Sequence, residues 1–253
     1  MRRSRFDPRE ATNTFIVATA DYVTFLSAPA VTAILHQEAP HACVRFIDIP
    51  LDYRAALGRG DLDLVIVSQG PTQDLAPWTA STPFLKDDMV VIVSRRKRAF
   101  KGRLTRRIYE ESPHAALQLQ ARSPTDHEAM TLNALGIKQA NRVTVQQFLT
   151  LPVIVQNTAC LALVQRRLAD AFCRTYDIEI LQPPFNMPQL ELTAHWRRST
   201  DADPASIWFR DVLRRAPLAN LDASPFDKNA WLIVTERLAP VTASNKIFYV
   251  GDH

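Results

Sequence analysis

Glycine and cysteine are scarce in this chain of 253 residues, and long apolar runs are missing. With six glycines it contains neither GxGxxG nor GxxxxGKS/T, which excludes the two common glycine-rich phosphate-binding loops. Its three cysteines, Cys43, Cys160 and Cys173, lack metal-ligand spacing, so we expect inert thiols in a reducing cytoplasm. No stretch approaches a length of about 18 consecutive apolar residues, and MRRSRFDPRE lacks an apolar secretory core, so neither a membrane span nor a secretory signal is expected.

Motifs for catalysis are also missing. Neither GxSxG nor HExxH occurs in the chain. Cys160 begins a predicted helix whose N-terminus could activate its thiol, but no glycine-rich oxyanion loop precedes it. We therefore predict a protein that is not an enzyme and that uses neither a metal nor a cofactor.

Charge is modest overall and uneven along the chain. The net charge is +4, and an apolar fraction of 47% with 22% charged residues is typical of a globular domain. From Arg95 to Arg107, however, eight of thirteen residues are Lys or Arg and none is acidic. This run is suited either to an anionic partner or to a solvated turn, and the turn is favoured. Aromatic residues do not alternate with the basic ones, so nucleic-acid binding is not favoured.

Alternating apolar segments and amphipathic segments predict an α/β fold. The first series is a strand at Thr14–Thr19, a helix after Asp21 as N-cap with a kink or new start at Pro29, a strand at Val44–Pro50, a helix at Asp52–Gly60 and a strand at Leu62–Val67. The second is a strand at Asp88–Arg96, a strand at His114–Gln120, a helix at Pro124–Leu135, a strand at Asn141–Val145, a helix at Cys160–Cys173, a strand at Leu190–Arg198 and a helix at Pro204–Arg215.

Two such series predict two Rossmann-like lobes joined by two crossover strands. The predicted boundaries are residues 12–94 for the first lobe, 95–196 for the second, 197–217 for the return to the first, and 218–253 for a C-terminal extension. The crossings are expected near Val93–Arg96 and His195–Arg198. A cleft between two lobes is a common place for a small-molecule ligand.

Candidate ligand-binding residues follow from the rule that ligands lie beyond the carboxyl ends of parallel strands. They are Ala20, Asp21 and Tyr22 after the first strand, Ser68 and Gln69 after the third, Ser123, Thr144, Gln146 and Thr158 in the second lobe, and His195 on the returning strand. Each has a structural alternative: the hydroxyl and amide side chains could cap helices, Tyr22 could pack a helix, and a buried structural role is favoured for His195.

Several segments together resemble the effector-binding domain of LysR-type transcriptional regulators. FDPREATNTFIVATADYV, ILHQEAP and ALGRGDLDLVIV carry the resemblance, as does FLTLPVIVQNTACLALVQRRLA in the second lobe. The family segment leucine–x–x–glycine–x–leucine–aspartate–leucine is matched by Leu57, Gly60, Leu62, Asp63 and Leu64. The resemblance covers roughly Phe6 to Pro217 and is closest to members that sense aromatic acids and to nodulation regulators.

The resemblance implies a fold like that of type 2 periplasmic binding proteins, with an aromatic or carboxylate effector between the lobes. It also implies a homodimer or tetramer in which Val23–Glu38 of one chain packs against Pro124–Leu135 of another. The family's helix-turn-helix has no counterpart here, because Met1 lies only a few residues before the matching region, so direct DNA binding is not expected. Residues 218–253 have no counterpart either.

Three other functions remain open at this point. A solute-capture protein of a transport system would share the cleft but needs a signal peptide or a lipid-anchor cysteine. An enzyme could use the same scaffold. A truncated partner could act only by hetero-oligomerising with complete regulators.

Overall fold

The computed structural model describes residues 6–68, 76–118 and 127–216, which form ten strands and seven α-helices. In chain order they are β1 (Thr14–Thr19), α1 (Asp21–Glu38), β2 (Cys43–Ile47), α2 (Tyr53–Arg59), β3 (Leu64–Ser68), β4 (Thr79–Asp87), β5 (Met89–Ser94), α3 (Arg106–Glu111), β6 (Pro113–Leu117), α4 (His127–Ala134), β7 (Ala140–Val145), α5 (Leu151–Asn157), β8 (Ala162–Gln165), α6 (Arg166–Phe172), β9 (Ile178–Leu181), β10 (Leu190–Arg197) and α7 (Pro204–Arg215). None of these helices is long and apolar enough to cross a membrane.

The first sheet has five strands in the order β2-β1-β3-β10-β4. β1 runs parallel to β2 and β3, whereas β10 is antiparallel to β3 and β4. Because successive side chains of a strand point to opposite faces, Phe15 and Val17 pack under α1 and α7, and Ala18 packs against α2 on the other face. Every residue of β3 is buried, as the continuous apolar run in the sequence indicates for a strand covered on both faces.

The second group of strands lies in the other lobe. β5 pairs antiparallel with β8 and β9, and β6 pairs parallel with β7. A single bridge between His114 and Leu161 brings the two groups side by side. Helices α5 and α6 cover β5, and all six residues of β5 are buried as a result.

The chain changes sheets earlier than the sequence suggests. β5 pairs with β8 and β9, and β10 pairs with β3 and β4, so the crossings lie at Asp88 and at residues 182–189 rather than at Val93–Arg96 and His195–Arg198. Gln189 Nε2 donates to Asp88 Oδ1 over 3.0 Å and ties the two crossings together. We therefore propose that the first lobe comprises residues 14–87 and 190–216, and the second lobe residues 89–181.

Several predicted elements are confirmed and one is wrong. β1, α2 and α7 occupy the expected segments, and Gly60 ends α2 with a left-handed φ of 88°. The predicted helix Cys160–Cys173 is instead a strand, β8, followed directly by α6. The reason is burial: Ala162, Leu163 and Val164 are enclosed on all sides beside β5, so no helical spacing marks them. Pro29 lies inside α1, which continues through it as one helix.

The basic run is partly neutralised by nearby acidic residues. Arg96 Nε lies 2.7 Å from Asp177 Oδ2, and Arg98 Nη1 lies 3.0 Å from Glu179 Oε2 at β9. Arg107 pairs with Glu111 one turn later on α3. These exposed pairs agree with the favoured interpretation of the run as a solvated surface.

Candidate functional site

A small cavity lies where the two lobes meet, and its volume is about 40 Å³. The first lobe contributes the start of α1 and the ends of β1 and β3, and the second contributes the ends of β6 and β8. The described residues around it are Ala20, Tyr22, Val23, Ile49, Ile66, Val67, Ser68, Met89, Leu117, Glu128, Phe148, Gln165, Leu190 and Leu192. Its position at the carboxyl ends of parallel strands is the one expected for a ligand site in an open α/β sheet.

Asp21 joins the two lobes at the edge of this cavity. It is the first residue of α1, whose N-cap is Ala20, so the predicted N-cap role of Asp21 is wrong. Its Oδ1 accepts from the Phe148 N–H at 3.1 Å and its Oδ2 from the Leu149 N–H at 2.9 Å, both in the second lobe. Burial raises the pKa of Asp21, and the N–H donors partly oppose that rise. We call these two contacts the Asp21 clasp.

Tyr22 connects the cavity to the crossing between the lobes. Its ring lines the cavity and meets Phe148 edge-on, with 6.2 Å between ring centroids. Its buried hydroxyl donates to Asp87 Oδ2, which also accepts from the Arg167 N–H at 3.3 Å. Burial raises the pKa of both Tyr22 and Asp87. The Tyr22 hydroxyl is thus already engaged, and only its ring faces the cavity.

The structure places some of the remaining predicted residues in the cavity lining and others outside it. Ala20 and Ser68 line the cavity with Tyr22. Thr144 and Gln146 are exposed at the end of β7 and lie outside the lining. Gln69 and Ser123 fall outside the residues that the structure describes.

The contacts of Thr158 and His195 are those of residues with a structural role. The Thr158 hydroxyl donates to the Ile154 carbonyl at 2.9 Å and accepts from the Cys160 N–H at 3.1 Å, as a helix-end residue does. His195 is 3% exposed in the middle of β10, opposite Val65, on the face that carries α2. Burial lowers the pKa of His195 to about 4, so it is neutral at pH 7. Their roles in ligand binding remain predictions.

Two polar residues of the cavity were not predicted. Gln165 ends β8, is 2% exposed, and its Oε1 has no hydrogen-bond partner within the described ranges. Glu128 of α4 is 4% exposed, and its Oε1 accepts from Gln139 Nε2 at 3.2 Å. The rule that selected Ser68 would have selected Gln165 as well, had the segment before it been recognised as a strand.

The polar groups of the described lining are therefore an acid, an amide and a hydroxyl, and none of them is a cation. The described lining contains the Glu128 carboxylate, the Gln165 amide and the Ser68 hydroxyl, but no Arg, Lys or His. Such a lining offers an anionic ligand no described cation, whereas a neutral ligand can exchange hydrogen bonds with the amide and the hydroxyl. Within the described ranges, no three His, Cys, Asp or Glu side chains are grouped as metal ligands.

Residues 8–217 match the family of LysR substrate binding domains, and the chain belongs to this family. Nodulation protein D 2 of Rhizobium tropici is 28% identical over 87% of this chain and 68% of its own length. Nodulation protein D 1 of Mesorhizobium japonicum is 26% identical over 82% of this chain and 65% of its own length. The chain thus spans about two thirds of the length of these relatives.

Solved structures confirm the type 2 periplasmic-binding-like fold. A probable transcriptional regulator of Pseudomonas aeruginosa has a TM-score of 0.75 at 20% identity, covering 85% of this chain and 70% of that one. The regulatory domain of MexT, a transcriptional activator in Pseudomonas aeruginosa, has a TM-score of 0.65 at 24% identity, covering 80% and 99%. At these identities the likeness establishes the fold alone.

Proposed function

We propose that this chain is the effector-sensing domain of a LysR-type transcriptional regulator and that its ligand binds between the lobes. The observation that carries the proposal is the Asp21 clasp beside a buried cavity at the ends of β1 and β3. Membership in the LysR substrate binding domain family and the nodulation-protein relatives support it. DNA would be contacted through a domain other than residues 6–216. Cytoplasmic location and lack of catalysis remain predictions.

Ligand entry and movement of the lobes are coupled in this proposal. A cavity of about 40 Å³ holds a few waters, whereas sites for small organic ligands measure roughly 300–1,000 Å³. A ligand therefore has to part the lobes, which lengthens the hydrogen bonds from Asp21 to Phe148 and Leu149. Because the ligand binds the parted state better, it shifts the population of lobe angles and so transmits its presence.

The side chains that line the interlobe cavity indicate which class of ligand to expect. An aromatic carboxylate would place its charge near Glu128 without a cation among the described lining residues. A neutral aromatic compound with a phenolic hydroxyl could instead donate to Gln165 Oε1, while Tyr22 and Phe148 pack against its ring. We therefore favour a neutral phenolic effector over a carboxylate at this site.

A thermal-shift screen with flavonoid-like phenolics, aromatic carboxylates and amino acids tests the proposal. A ligand at a hundred times its Kd is expected to stabilise the chain by about 2.7 kcal/mol, and we expect this from phenolics. Gln165→Leu should weaken phenolic binding about tenfold, because a hydrogen bond to a buried amide is lost. Gln146→Leu makes the same change at an exposed position outside the cavity and should leave affinity unchanged. If none of the three classes stabilises the chain, the sensing function is wrong.

Self-association is a second part of the proposed function. Met130 on α4 and Leu135 just after it are large apolar side chains with 37% of their surface exposed. We propose that α4 packs against α1 of a second copy, giving a homodimer or a tetramer. Light scattering should report a dimer that Met130→Lys dissociates at low micromolar concentration. A monomeric wild-type chain that nevertheless forms mixed species with a complete regulator would support the hetero-oligomerising alternative instead.

A further inference from the structure

A second cavity, away from the interlobe site, lies between α7 and the β10–β4 edge of the first sheet. Its volume is about 650 Å³, within the range of roughly 300–1,000 Å³ that small-ligand sites occupy. Leu64, Ala194 and Leu213 form a buried apolar floor, and four arginines surround it. We propose that this α7 groove binds a small amphipathic organic anion, namely an aromatic carboxylate, independently of the interlobe effector.

The groove exists because α7 covers only part of its sheet face. Phe209 of α7 stacks on Phe15 of β1, with 4.1 Å between ring centroids, which holds the helix over the β1 side of the sheet. Toward β4 the same face ends in Thr82, which is exposed and lies opposite Ala194, and in the half-buried Phe84. Apolar surface that the described residues leave uncovered favours the burial of a ligand's ring.

Arg210 is the anion-binding residue of the proposal. Its guanidinium lies over the Trp196 ring, 4.8 Å from the centroid, and both Nη atoms face the Thr200 carbonyl at 3.4 Å. The Trp196 indole N–H is itself held by Asp201 Oδ1 at 2.6 Å. Among the described residues, no carboxylate forms an ion pair with Arg210, although Asp201 and Asp203 lie near enough to act on it electrostatically. A positioned and partly desolvated guanidinium therefore remains for a ligand's carboxylate.

The other arginines of the groove are already paired to different degrees. Arg215 bonds to Glu38 at 2.6 and 2.9 Å and to Asp211 at 2.7 Å, and Arg214 also bonds to Asp211. Arg167 comes from the second lobe, and its pairing is weak, because its Nε lies 4.0 Å from Asp87 Oδ2. Asp211 is the acidic residue among the described lining, and Glu38 and Asp87 lie just outside it, so Arg210 is the guanidinium of the groove without a direct ion pair among the described residues.

The charge difference between the two cavities makes the inference specific. The interlobe lining has Glu128 and no described cation, whereas the α7 groove has Arg210, which forms no ion pair with a described carboxylate. A carboxylate ligand is therefore expected in the groove, and a neutral phenol between the lobes.

Isothermal titration of the full chain with phenylacetate and with its neutral analogue phenylacetamide tests this inference. Phenylacetate should bind at least about tenfold more tightly, because its negative charge strengthens the hydrogen bond from the Arg210 guanidinium. Arg210→Gln should remove this difference by weakening phenylacetate binding about tenfold while leaving phenylacetamide unchanged. Arg107→Gln, the same change on the exposed surface of α3, should have no effect.

Further variants separate the two cavities and guard against misfolding. Thr82→Trp fills the groove from an exposed edge position and should abolish phenylacetate binding, whereas Gln165→Leu should leave it intact. Loss of phenylacetate binding in Gln165→Leu but not in Thr82→Trp would place the anion between the lobes and overturn the inference. Failure of the wild-type chain to bind phenylacetate, as would follow if another part of the chain filled the groove, would overturn it too.

Discussion

The two cavities use the same sheet in different ways, and their chemistry differs accordingly. The interlobe cavity is built where strands β1, β3 and β8 end, so its polar groups are the residues that happen to end strands, such as Ser68 and Gln165. The α7 groove lies on the face of the sheet and takes its unpaired positive charge from Arg210 of α7. Position in the fold thus decides which cavity accepts an anion.

Both cavities exist only while the lobes are folded, and we expect acid to have the largest effect because it destabilises the folded chain. His114 in the second lobe and His195 in the first are 0% and 3% exposed, and burial lowers the pKa of each to about 4. The unfolded chain binds protons at both sites below about pH 6.5, so stability is lost as pH falls from 6.5 toward 4, by about 3 kcal/mol per histidine at most. Urea unfolding at pH 7, 5.5 and 4.5 measures this loss.

A variant isolates the contribution of one histidine to the acid effect. His195→Leu removes one titrating group while keeping the site apolar, and should reduce the slope of stability against pH by about half. The raised pKa values of Asp21 and Asp87 act in the opposite direction, because protonation of these buried carboxyls favours the folded state. Equal slopes of stability against pH for the wild-type chain and His195→Leu would contradict a buried neutral His195.

Removing the Asp21 clasp should affect the interlobe cavity and leave the α7 groove unchanged. Asp21→Ala leaves the N–H groups of Phe148 and Leu149 without their acceptor, and we expect a loss of about 1–3 kcal/mol in the free energy of unfolding. Asp170→Ala, at an exposed pair with Arg166, should cost less than about 0.5 kcal/mol. Urea unfolding provides both values.

The same clasp variant distinguishes the cavities by their ligands. Affinity for a neutral phenolic should change in Asp21→Ala, because the lobes part more easily, whereas phenylacetate affinity should stay within about twofold, well below a tenfold step of 1.4 kcal/mol. Equal changes for both ligands would mean that the two cavities are not independent.

A change in salt concentration should produce the smallest effect on ligand affinity, and it should weaken the binding of the charged ligand alone. The proposed contact of phenylacetate with Arg210 is partly exposed to solvent, so raising NaCl from about 0.05 to 0.5 M should weaken phenylacetate binding severalfold by screening. A neutral ligand between the lobes should bind equally well or slightly better. Titration calorimetry at the two salt concentrations measures both. Salt-independent phenylacetate binding would contradict a role for the guanidinium groups.

Sequence reasoning found the fold more completely than the site. Amphipathic spacing and caps located α2 and α7, and the apolar run of β3 indicated a strand covered on both faces. β4 was not predicted, because its polar residues suit an edge strand and resemble a loop in the sequence. Of the ten candidate residues, Ala20, Tyr22 and Ser68 line the cavity, since the strand-end rule depends only on finding the strand correctly.

The sequence by itself determined that two α/β series form two lobes with strand ends facing a cleft, because burial and periodicity are local properties of the chain. The tertiary structure decided what Asp21 does, since its partners Phe148 and Leu149 lie 127 and 128 positions away. It also decided that Arg210 rests on Trp196 over an uncovered sheet face. Contacts of this kind depend on which surfaces the lobes bring together, and no local pattern records them.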